Sequence, residues 1–156
     1  METTEAILEA YIRVLPWEIS AENIVREGYL VLLRLDLGPC AVRVRRVRVY
    51  GVVEGLSASE RRVDFTVRLG EAGVLVRAWQ ENMDVVEGVE EGTWVEVFGT
   101  LRLAGEVVYV SPLIVREKRL DWTELVKRDR EVLAEAYCGG GGALEAGDNS
   151  DIMARV

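Results

Sequence analysis

Apolar and polar residues alternate one by one from Val42 onward, the period-two signature of half-buried strands. Through VRVRRVRVYGVVEG the phase slips at Arg45-Arg46: Val42 and Val44 share one parity, Val47, Val49 and Val53 the other. A β-bulge, or a junction between two strands, is expected there. Gly51 interrupts the second set and marks a bend of the kind a small closed barrel needs where one strand serves two sheets. After the loop GLSASE comes RRVDFTVRL, with Val63, Phe65, Val67 and Leu69 on one face and Arg62, Asp64, Thr66 and Arg68 on the other. GEAG reads as a hairpin turn leading into VLVRAW. With Val74, Val76 and Ala78 inward, Leu75, Arg77 and Trp79 face out, beside the outward row of the preceding strand. QENMDVVEGVEEG reads as a short helix or loop, and TWVEVFGTLRL and EVVYVSPLIV form a second hairpin across AGE.

The ends read differently. Ile7, Leu8, Tyr11, Ile12 and Leu15 recur at helical spacing and Pro16 ends the run, so an amphipathic helix is expected over residues 3–15. SAENIVREG suggests a further helical turn closed by Gly28, and YLVLLRLDLGP a mostly buried strand turning at Gly38-Pro39. LDWTELVKRDREVLAEAY reads as a C-terminal helix, with Asp121 and Glu124 at capping-box spacing and Gly139 just past its end. The expected organisation is a helix and lead-in strand over 1–39, a barrel over 40–116, a helix over 117–138 and a flexible glycine-rich acidic tail over 139–156. Five strands with a short helical segment between the third and fourth is the order of an OB-fold. This mainly β Greek-key barrel binds oligonucleotides or sugars on its strand 2–3 face.

A chain of 156 residues, 49% of them apolar, buries one sizeable core. Its formal charge of −8 opposes contact with phosphate, yet residues 40–79 carry eight arginines against four carboxylates, a local excess of +4 inside acidic flanks. Screening limits fields to about 8–10 Å, so a local basic segment still steers an anion. Histidine is absent, which removes the commonest general base and metal ligand and disfavours an enzyme; no cofactor is expected. Cys40 and Cys138 read as neither a zinc pattern nor a secreted disulfide framework. METTEAILEA has no leader pattern and no stretch has the roughly 20 apolar residues of a membrane span, so a cytoplasmic protein without a membrane partner is expected.

RVRVYGVVEG, then VDFTVRLGEAGVLVRAW, then GTWVEVFGTLRLAGEVVYVSPLIV, closed by a helix, resembles the OB-fold of replication protein A. The pattern is most similar to the archaeal replication protein A-associated OB proteins, which look like the eukaryotic middle subunit. With EAYIRVLPWEI and GYLVLLRLDLG as lead-in, the resemblance spans roughly residues 6–137. It implies binding of single-stranded DNA in replication and repair, within a complex of several OB-fold subunits. It also implies that Trp79 stacks on a base, that Arg77, Arg62 and Arg68 line the phosphate path, and that the C-terminal helix bundles with partner subunits through Trp122, Leu125, Val126, Leu133 and Tyr137. Where the family often has a second aromatic in the strand 4–5 hairpin, this chain has RLAGE.

From the residues alone, other readings stay open. Trp79 is a stacking platform or a rim residue sealing the barrel; Arg62 and Arg68 contact phosphate or pair with Asp64 and neighbouring acids. Trp94 and Phe98 extend the surface or are covered by the N-terminal helix or a partner. The C-terminal stripe packs on its own domain or on another subunit, in which case charges near Asp129 help select the partner. CGGGGALE lacks the Gly-Lys-Ser/Thr ending of a phosphate-binding loop and reads as a linker. The competing function is an adaptor OB subunit that binds protein and not nucleic acid.

Overall fold

A computed structural model of the chain describes residues 5–139. The alternating segments form β6 (Arg46–Ala58), β7 (Arg62–Leu69), β8 (Ala72–Trp79), β9 (Trp94–Ala104) and β10 (Val107–Glu117), with a 3-10 helix, Gln80–Val86, between β8 and β9. The hydrogen-bonded order is β6-β7-β8-β10-β9, and β9 pairs back onto β6, so the sheet closes. All pairings are antiparallel except β8 with β10, which run parallel at Val76 and Val110. This is the five-stranded OB-type barrel that the strand order implied. The inward valines make its core: Val47, Val49, Val53, Val67, Val76, Val97 and Val110 are fully buried around Phe65.

Closure depends on β6 serving two partners. Residues 46–52 pair with β9 and residues 52–58 with β7, and the handover falls at Gly51 and Val52. A side chain at Gly51 would place its Cβ 2.3 Å from the carbonyl oxygen of Arg68, so only glycine lets the two backbones approach. The phase slip is a strand junction: β5 (Ala41–Val44) ends before Arg45 and β6 begins after it.

Before the barrel, β1 (Ile7–Leu8), β5, β4 (Leu30–Asp36) and β3 (Ile24–Glu27) form a second sheet in the order β1-β5-β4-β3. The helix expected over 3–15 is not formed. Ile7–Leu8 pairs in parallel with β5, and β2 (Ile12–Arg13) pairs in parallel with β6. Leu8, Ile12, Val14 and Pro16, all of even parity, are buried, whereas Ile7 and Tyr11 are not. Helical spacing of the apolar residues coincided with a period-two pattern, and pairing with two distant strands decides between them. SAENIVREG contributes a single 3-10 turn, Ala21–Asn23, followed by β3.

The C-terminal helix α1 (Trp122–Tyr137) has Asp121 at its N-cap, but the Asp121 side chain makes no capping hydrogen bond. Its far end is fixed by a disulfide between Cys138 and Cys40, at the β4–β5 turn, across 98 residues. That corrects the expectation that Cys40 and Cys138 make no disulfide framework. The tail expected over 139–156 lies, from residue 140 on, outside the described residues.

Candidate nucleic-acid interface

Pairing of β7 with β8 sets Arg62 opposite Trp79 and Asp64 opposite Arg77, all on the outward face. Val63, Phe65, Val74, Val76 and Ala78 turn to the core, and that alternation places the other set toward solvent. The Trp79 indole is half-buried, with the guanidinium carbons of Arg62 and Arg77 5.4 Å and 5.8 Å from its ring centre. Its ring N–H donates to the hydroxyl oxygen of Tyr109 at 3.3 Å, and Arg77 also lies over the Tyr109 ring at 5.3 Å. An indole held at one edge with cations over its ring keeps a fixed orientation, and a flat ring stacks on it by taking the place of the more exposed guanidinium, that of Arg62.

The arginines differ in what they offer. Arg77 donates two hydrogen bonds to Asp64, 3.0 Å and 3.1 Å, with its side chain only 14% exposed, so it fixes the cluster. Arg62 is 42% exposed and reaches Asp64 at 3.3 Å, an arrangement a phosphate can displace. Arg68 shares the face but not the cluster. It sits six residues along β7, about 20 Å away at strand rise, paired with Glu54 at 2.7 Å. Thus the structure gathers Arg62, Arg77 and Trp79 and leaves Arg68 at the far end.

Tyr109 is a member of the cluster that the sequence pattern did not single out. It supplies an aromatic on the strand 4–5 hairpin in β10, just beyond RLAGE. The signal was its parity: Val110 faces the core beside Val76, so Tyr109 lies on the other side of β10 with Arg77 and Trp79, where it is itself buried beneath them.

The opposite wall is covered. Phe98 meets the Tyr11 ring edge-on at 5.6 Å and lies under the guanidinium groups of Arg48 and Arg116, both of which pair with the buried carboxylate of Glu96. Trp94 and Trp122 stack on Tyr50, 5.4 Å and 5.3 Å between centroids. The α1 stripe expected to face a partner packs within the chain: Trp122, Val126 and Leu133 are buried, while Leu125 and Tyr137 are half-buried at its margins. Asp129 pairs with Arg13, and Arg130 with Glu18, so the charged turn of α1 also holds the N-terminal segment. Among the described residues no cluster of three or more Cys, Asp or Glu could hold a metal ion, and no helix is long and apolar enough to cross a membrane.

No protein-family model matches the chain. Among solved structures it is similar to a chain of a replication protein A heterotrimer bound to ssDNA, at 19% identity and a TM-score of 0.55 over 81% of this chain and 96% of that one. It is also similar to a chain of the S. pombe Stn1-Ten1 complex, at 17% identity and a TM-score of 0.60 over 77% and 93%. At these identities the likeness establishes the fold, a mainly β OB-like barrel with a C-terminal helix. A protein of Thermofilum pendens, described as an uncharacterized 18.7 kDa protein in the ribosomal RNA operon, is 31% identical over 140 residues, 85% of this chain and 81% of its own length. With that identity across most of both proteins, the chain belongs to the family of the Thermofilum pendens 18.7 kDa protein.

Proposed function

We propose that the chain is an OB-fold subunit of a replication protein A-like complex that binds single-stranded DNA across the outward face of β7, β8 and β10. The observation that carries this reading is the Trp79 cluster: a fixed, half-exposed indole with the Arg62 guanidinium over its ring and Tyr109 at its edge. It occupies the strand 2–3 face on which OB-folds hold oligonucleotides. Support comes from one fold neighbour being bound to ssDNA and both belonging to multi-subunit complexes. One indole platform and a single displaceable arginine make a small site, so the isolated subunit binds weakly. Oligo-dT anisotropy measures this. Trp79→Ala is expected to lower affinity by about 5- to 150-fold, the equivalent of roughly 1–3 kcal/mol for one stacked base, with the melting temperature little changed. Equal affinity in the variant would remove Trp79 from the site.

The adaptor reading is favoured by one feature. Arg77 and Arg68 are engaged by Asp64 and Glu54, which withdraws two of the expected phosphate contacts. An adaptor would show no binding to oligo-dT alone and would assemble with a partner subunit equally well when Trp79 is alanine. Partner contact through α1 would then rest on its outer face, with Leu125 and Tyr137 at the margins rather than Trp122, Val126 and Leu133.

A further inference from the structure

Across the sheet from Trp79, in the order β8, β10, β9, the outward face continues from Tyr109 to Arg102, its cross-strand partner. There the barrel wall meets the β3–β4 hairpin, and the two enclose a cleft of about 280 Å³ lined by Arg26, Arg45, Arg102, Tyr29 and Tyr109 among others. Three arginines and no carboxylate line it, in a chain whose formal charge is −8. Among the described residues none of the three forms an ion pair, whereas on the barrel wall Arg48, Arg68 and Arg77 each pair with a carboxylate. Arg26 rises from β3, Arg45 from the β5–β6 junction and Arg102 from β9. Three separate elements therefore bring like charges to one concavity. Mutual repulsion makes such a cluster unfavourable unless water or an anion screens it. Tyr29 follows the Gly28 turn and is 93% exposed, with its ring free of covering side chains.

We infer that this cleft is a phosphate-binding extension of the Trp79 face. A nucleic-acid strand stacked on Trp79 runs across β10, past Tyr109, and its next phosphates are held by Arg102, Arg45 and Arg26, with a base resting on Tyr29. Guanidinium groups suit this role because their planar fork matches phosphate oxygens in pairs. Tyr109 joins the two regions, since it accepts the Trp79 hydrogen bond and also lines the cleft. The inference rests on the proposed binding at Trp79, and its test separates the two.

Arg26 and Arg102 are both exposed, so Arg26→Ala/Arg102→Ala leaves the core intact, as an unchanged melting temperature would show. Binding is compared for oligo-dT of about 4 and about 12 nucleotides, the range of OB-fold site sizes. In the double variant the longer strand is expected to bind about 10-fold more weakly, and the log–log salt slope to fall by about 1.4, about 0.7 for each phosphate that is no longer neutralised. The weakening is confined to the longer strand. Wild-type binding with neither change in the variant overturns the cleft and leaves Trp79 standing. Should the wild type bind neither strand, the Trp79 reading fails, and the cleft is judged by titrating inorganic phosphate and following the arginine Nε–H signals. Saturable shifts of Arg26, Arg45 and Arg102 retain a phosphate site there, and stationary signals reject it.

Discussion

Replacing both Cys40 and Cys138 with serine is expected to lower the stability of the chain by about 4–5 kcal/mol. The disulfide closes a loop of 98 residues, which takes in β5, the whole barrel and all of α1. In the chain-entropy treatment a loop of that length removes about 4.7 kcal/mol of conformational freedom from the unfolded state. For a chain of this size the change corresponds to a fall in melting temperature of roughly 10–15 °C. Calorimetry of the double serine variant, and of the wild-type chain with and without reductant, measures it. Reductant should lower the wild-type midpoint to that of the variant and leave the variant unmoved. Coincident wild-type midpoints in the two conditions would show that the cysteines are not joined in solution.

Trp122→Ala is expected to cost about 3–5 kcal/mol, the range for removing a large buried aromatic side chain. Trp122 is 2% exposed and stacks on Tyr50, and its ring N–H donates to the Val14 carbonyl oxygen at 2.9 Å. The same side chain joins α1, the barrel wall and the N-terminal segment, with the Arg13 guanidinium 5.8 Å from its ring centre. Trp122→Phe keeps most of the stack but leaves the Val14 carbonyl without its partner, so a smaller destabilisation of about 1–3 kcal/mol is expected. Denaturant titration of the isolated chain checks both. A Trp122→Ala chain as stable as wild type, yet defective in assembly, would return this residue to a partner interface.

The barrel was legible because its strands carry a local signal. Alternating valines settled the inward face of β7 and β8, and with it the outward position of Trp79, Arg77 and Arg62. The slip at Arg45-Arg46 and the glycine at 51 marked the junction and the bend. What escaped depends on distant partners. Leu8 and Ile12 fit a helix as well as a strand, and only pairing with β5 and β6 makes the segment extended. Cys40 and Cys138 meet because α1 ends beside the β4–β5 turn, a position no local pattern encodes. The ion pairs were legible as possibilities: Asp64 stands opposite Arg77 and beside Arg62 once the register is known, and that register was written in the alternation. Tyr109 carried the same kind of signal, in the parity of β10 against Val110.

The most direct measurement follows the indole N–H resonances of a 15N-labelled wild-type chain during titration with oligo-dT of about 12 nucleotides. The Trp79 resonance, from a half-exposed indole whose N–H is bonded to Tyr109, should shift and saturate. The Trp122 resonance, bonded to Val14 inside the fold, should stay in place. A Trp79 signal that remains stationary while the oligonucleotide is bound would place the strand on some other surface, and one that never moves at any concentration, with no binding detected, would leave the adaptor reading in its place.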